Sequence, residues 1–215
     1  MRKLYIALAV AAILVPSAVF AHQPRISGDQ AQITVENPEV SKAYYSELKG
    51  QPQYYEINSA VDFALYVNIL LPDVPQISKD IMVEVFQNNE QGIKLYTLDG
   101  KGFNWTLFFE EFARDDYYKG PEIKAQTKAG VYLIKVSSPD NMSRYSLAIG
   151  EKESFPANEV VRSLIELPQI KSQIFNKPAI FAFLNIFGLF IWIPLLIILI
   201  IIIVSIWLVR KRKNK

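Results

Sequence analysis

The chain has 215 residues, 51% of them hydrophobic, with a formal net charge of +2, one histidine and no cysteine. That length holds one domain of ordinary size beside its terminal segments and excludes a two-domain enzyme, while the missing cysteine excludes disulfides, thiolate metal sites and a cysteine nucleophile. Residues 22–178 carry 16 basic against 21 acidic side chains, a net charge of −5, so the basic pI comes from the two ends and a nucleic-acid partner is excluded for want of a basic patch.

Residues 1–21 read as a secretory signal peptide: Arg2 and Lys3, an apolar run from Leu4 to Val15, Pro16, then small residues leading to Ala21. An ectodomain without bridges suits a prokaryotic envelope whose β core stands unaided. From about Gln32 to Gly150 the apolar residues alternate. The clearest run is Val61 to Ile69, where Val61, Phe63, Leu65, Val67 and Ile69 share one face. Shorter segments of the same kind fall at Ile33 to Val35, Tyr54 to Ile57, Ile81 to Phe86, Ile93 to Leu98, Trp105 to Phe109, Val131 to Val136 and Tyr145 to Ile149. Turn chemistry separates them, as at Asp99-Gly100-Lys101-Gly102, Gly120-Pro121 and Ser138-Pro139-Asp140-Asn141. Val40 to Leu48 reads as either strand or a turn of helix. Eight or so strands without intervening helices predict an all-β fold, an antiparallel, jelly-roll-like β-sandwich over residues 22–154.

One pair of these strands carries a resemblance. Gly130-Val131-Tyr132-Leu133-Ile134-Lys135-Val136 followed by Tyr145-Ser146-Leu147-Ala148-Ile149-Gly150 resembles the final hairpin of bacterial pre-peptidase C-terminal domains and related jelly-roll modules. The resemblance implies that Tyr132, Ile134 and Val136 point into the sandwich with Tyr145, Leu147 and Ile149 opposite. It also implies a non-catalytic appendage, although no attached enzyme is present here.

Residues 155–178 change character. Leu164, Ile165, Leu167, Ile170, Ile174 and Phe175 recur near helical spacing, interrupted by Pro168, which predicts an amphipathic juxtamembrane stalk that lies at the interface or docks on a neighbour. Residues 179–209 contain no charge and exceed the roughly 20 apolar residues that cross a bilayer, predicting one transmembrane helix. Arg210, Lys211, Arg212, Lys213 and Lys215 form the basic flank expected on the cytoplasmic side at residues 210–215, which places the sandwich outside the cytoplasm on a single-pass anchor.

Chemistry has few places to reside. His22 is the one histidine, so neither a Ser-His-Asp triad nor a histidine-rich zinc site is available, and an N-terminal copper site at His22 lacks a second imidazole. Asp115 and Asp116 fall in an expected loop and are the candidate calcium ligands, the only cofactor the sequence suggests. Any two of Glu110, Asp115 and Asp116 are the candidate acid and base of a carbohydrate-active alternative. Among many aromatics, Trp105 and Tyr118 are the candidate ligand or partner contacts, with Ile170 in the stalk. The expectation is a membrane-anchored binding module without catalytic activity that contacts another envelope protein or a glycan, with a calcium-stabilised structural domain as a further alternative.

Overall fold

A computed structural model describes residues 22–28, 30–111, 113–184 and 188–213, and the expected signal segment 1–21 lies outside the described residues. Two sheets face each other. The first contains six strands in the order β1 (Gln23–Ile26), β3 (Lys42–Glu47), β11 (Arg144–Ile149), β5 (Phe63–Pro72), β9 (Asp115–Thr127) and β8 (Thr106–Glu110). The second has five, in the order β2 (Gln32–Thr34), β4 (Gln53–Ser59), β10 (Gly130–Ser137), β6 (Met82–Gln87) and β7 (Ile93–Asp99). The fold is thus an all-β sandwich. Its pairing is antiparallel except that β1 joins β3 and β2 joins β4 in parallel.

The core between the sheets follows the period-two pattern. Phe63, Leu65, Val67 and Ile69 of β5 point inward beside Ile57, Val83, Val85, Ile134, Val136 and Leu147. Val61, expected on that face, precedes the strand and is exposed. Two buried tyrosines, Tyr55 and Tyr145, share a hydroxyl–hydroxyl hydrogen bond of 2.9 Å inside this core. That bond meets the polar ends of rings whose bodies are buried for their apolar area.

Three strands exceed the expectation. β1 is short and polar, Val40 to Leu48 resolves as the strand β3, and β9 runs thirteen residues through a segment with little alternation. Gly120-Pro121 is therefore no turn between strands but a bulge within β9, where the register shifts between Asn68 and Leu70 of β5. The buried Asn68 amide donates to the Gly120 and Pro121 carbonyls, each at 3.1 Å, and so satisfies the backbone that the bulge frees. The expected β10–β11 hairpin is also corrected. The side chains of Tyr132, Ile134, Val136, Tyr145, Leu147 and Ile149 do meet in the core, yet β10 lies in one sheet and β11 in the other, so the Ser138–Ser143 connection crosses between layers.

Residues Ala157–Gln173 form helix α1, and Pro168 sits within it without breaking it. Ala179–Phe183 makes a 3-10 turn, and α2 spans Leu189–Lys213. Within α2, Ile191–Arg212 is long and apolar enough to cross a membrane, and none of it is buried against the rest of the chain.

Candidate functional site

Helix α1 lies on the outer face of the six-stranded sheet. The register places Ala43 of β3 beside Ala148 of β11, and these small side chains give a flat bed on which Leu167, Ile170, Ile174 and Phe175 pack with Tyr45, Leu70 and Tyr117. Ile170, a candidate partner contact from the sequence, is 1% exposed at the centre of this second core. Its apolar surface is consumed by the sandwich itself, and the expected stalk is a docked helix.

Charge fixes the position of that helix at both ends. Near its start, Arg25 of β1 holds the Glu159 carboxylate with two hydrogen bonds of 2.7 and 3.0 Å, and the Ile26 amide donates to Glu166 at 3.0 Å. Near its end, Lys171 is buried and donates to Asp115 at 2.6 Å and to the Ala113 carbonyl at 2.6 Å. Lys177 reaches the other Asp115 oxygen at 2.9 Å. Burial pushes the Lys171 ammonium below the ordinary lysine range, and the adjoining Asp115 carboxylate pulls it back. Burial likewise raises Glu166, against the opposing amide of Ile26.

The same geometry sets the two candidate calcium ligands apart. Asp115 and Asp116 are not in a loop but are the first two residues of β9, so their side chains take opposite faces. Asp115 is buried with both oxygens held by lysines, whereas Asp116 is exposed. Among the described residues, no three histidine or acidic side chains gather as they would around a metal ion. Of the acids considered for carbohydrate chemistry, Glu110 lines a cavity, and its carboxylate accepts from the Ala113 amide at 2.6 Å, closing the β8–β9 turn.

Trp105 and Tyr118 are both half-buried and pack against the main core. The Trp105 indole donates to the Gly100 carbonyl at 2.9 Å and lies against Gly100 and Gly120, where an added Cβ would fall 2.8 and 2.6 Å from its ring. These glycines are needed for close approach, and the ring acts as a wall of the sandwich rather than a free platform. Tyr118 is covered by Lys79, whose ammonium lies 3.6 Å from the ring centroid, and a hydrogen bond to Asp73 raises its hydroxyl above the ordinary tyrosine range. His22 bonds through Nδ1 to the Ser41 hydroxyl at 2.5 Å. It shares a cavity of about 200 Å³ with Tyr45, Tyr117, Phe108, Glu110 and Lys119.

The largest apolar side chains left outside the core, apart from the membrane-spanning run, include a set that sequence reasoning did not single out. On β8, Leu107 is 71% exposed, Phe108 41% and Phe109 48%, and Phe103 stands exposed in the preceding loop. β8 is an edge strand of the six-stranded sheet, and four of its five residues are exposed. The signal in the sequence is the unalternated Leu107-Phe108-Phe109, which puts apolar groups on both faces of one strand. Lys171 was legible too, since Leu167, Ile170, Lys171 and Ile174 fall on one helical stripe.

No family model matches the chain, and no curated protein matches it. Among solved structures, it is similar to the pre-peptidase C-terminal domain of a collagenase from Bacillus anthracis, at 12% identity and a TM-score of 0.34, over 62% of this chain and 98% of that one. It is also similar to CorA, a surface-associated copper-binding protein of Methylomicrobium album BG8, at 5% identity and a TM-score of 0.27, over 59% and 98% of the respective chains. The first of these belongs to the family that the residues of β10 and β11 resemble.

Proposed function

We propose that this chain is a single-pass, membrane-anchored interaction module of the cell envelope, its sandwich outside the cytoplasm and its basic tail inside, without catalytic activity of its own. The observation that carries the reading is the exposed Leu107-Phe108-Phe109 surface beside Phe103. Exposed aromatic and aliphatic groups clustered on one strand and the loop before it mark an interaction surface. A docked helix accompanies it: α1 is seated on the sandwich through a second core and two sets of buried ion pairs, so its own apolar stripe is already covered and the β8 surface is not. A signal peptide at residues 1–21 and the basic flank after Val209 give the orientation.

The test is isolation of the full-length protein from its native membrane in mild detergent. The wild-type chain brings down one envelope protein at fixed stoichiometry, and Leu107→Asn with Phe109→Asn loses it while the circular dichroism spectrum stays the same. Retention of the partner by that variant, or a wild-type preparation with no companion protein, would overturn the reading.

A further inference from the structure

The sandwich has four edge strands, and three of them are protected. β1 contains Pro24 and Arg25 and lies under α1, with Arg25 clamped to Glu159. β2 is only three residues long. β7 carries Lys94, which pairs with Glu84, and its pairing with β6 is broken by a register shift. Charge, proline, shortness and bulges are the devices by which sheets prevent unwanted pairing at their edges. β8 has none of these over Thr106–Phe109: it bonds to β9 on one side only, in unbroken register from Thr106 opposite Lys119 to Glu110 opposite Asp115.

We propose that β8 is a strand acceptor, completed by an extended segment of another envelope protein that adds to the six-stranded sheet as a seventh strand. The inference rests on the interaction reading above and names the kind of partner. The backbone chemistry selects the occupant, because a row of amide and carbonyl groups at strand spacing is matched by another extended chain. The segment carries apolar residues at alternate positions, two packing on Leu107 and Phe109 on one face and one on Phe108 on the other, where Phe108 borders the cavity shared with Tyr117 and Lys119.

Two rival occupants are set apart by chemistry and by the test. The bilayer core does not accept an open sheet edge, since its polar backbone groups would have no partner in hydrocarbon. A second copy pairing antiparallel through β8 would match Phe108 with Phe108 and set Thr106 against Glu110, and a crosslink between two copies of this chain identifies it.

The test places a photo-crosslinking phenylalanine analogue at Leu107, Phe108 or Phe109 of the full-length chain in native-host membranes, with Ile93 and Met142 as positions off this edge. The expected result is one protein adduct from all three β8 positions, with the residues captured by positions 107 and 109 two apart in a single segment. Leu107→Lys, on an exposed side chain, reduces the adduct at position 109 by about tenfold or more, because a charge now opposes an apolar strand. Adducts to lipid, to a second copy, to scattered proteins or to nothing would overturn the proposal. Adducts to one protein from the β8 positions whose captured residues do not fall two apart in one segment would overturn strand addition while leaving the interaction reading in place, and a protein adduct confined to Ile93 or Met142 would overturn both. The absence of protein adducts at every position would bring down both.

Discussion

Replacing Asp115 by asparagine is the most informative single change to the helix–sheet joint. It removes the carboxylate that faces both Lys171 and Lys177 and leaves the buried Lys171 ammonium with the Ala113 carbonyl and a neutral amide. Breaking a buried pair from one side costs about 3–5 kcal/mol, because the remaining charge stays out of water uncompensated. For a chain of this size each kcal/mol moves the melting temperature by about 2–4 °C, so Asp115→Asn lowers it by roughly 6–20 °C. Lys171→Met costs less, since Asp115 keeps Lys177 at a position 35% exposed to water. The double variant Asp115→Asn/Lys171→Met recovers most of the loss, because replacing a buried ion pair by neutral groups of similar size is often nearly neutral. The assay is thermal and urea unfolding of the full-length protein in lipid nanodiscs, followed by near-ultraviolet circular dichroism and by proteolysis within Ala157–Gln173. Equal, small effects of the two single changes, or a double variant as unstable as their sum, would refute the assignment of Asp115 as the counter-charge that seats α1.

Four other outcomes follow from the same geometry. Burial raises the hydroxyls of Tyr45, Tyr117 and Tyr145 above the ordinary range and that of Tyr55 to about 12. The folded state therefore keeps protons that the unfolded chain loses above pH 10, so the stability they contribute is intact below pH 10 and falls as pH rises through Tyr55's value of about 12. An absorbance titration at the phenolate band checks this by showing these rings ionise only with unfolding. Gly120→Ala forces a methyl to within 2.6 Å of the Trp105 ring and 2.8 Å of the Ile69 carbonyl, and it lowers the unfolding free energy by about 1–3 kcal/mol in the same urea assay. Glu159→Gln weakens the two-fold grip of Arg25 and speeds proteolytic cutting in the first turns of α1 while leaving β-sheet ellipticity unchanged. Chelating divalent cations leaves the melting temperature where it was, because the Asp115 oxygens are already held by lysine ammonium groups.

The layers of the sandwich were readable because its central strands alternate. β5, β10 and β11 are buried on their inner faces as period two dictates, and the Tyr132 and Tyr145 strands meet in the core as the family resemblance implies. What escaped the sequence were elements whose residues answer to neighbours rather than to a pattern. β9 reads Asp-Asp-Tyr-Tyr-Lys-Gly-Pro, with a buried aspartate, a bulge stitched by Asn68 and a tyrosine pair shared with β3. Its local propensities favour a turn, and tertiary pairing with β5 and β8 overrides them. Whether successive strands share a sheet depends on the connection, so an arch at Ser138–Ser143 looked like a hairpin. In the candidate site, Trp105 and Tyr118 were found by residue type, but the packing of Gly100, Gly120 and Lys79 around them is not written locally. Ile170 could be placed on an apolar stripe but not assigned its neighbour, since a helix that docks on its own domain and one that docks on another protein share the same periodicity.

The most direct test of the account is amide hydrogen exchange on the full-length chain, compared between pure lipid nanodiscs and native-host membrane vesicles. The account predicts that α1 is protected in both, because its docking is internal, and that the amides of Thr106–Glu110 turned away from β9 exchange freely in nanodiscs but are protected in native membranes. Equal exchange of β8 in the two settings, or protection of β8 by lipid alone, would contradict it.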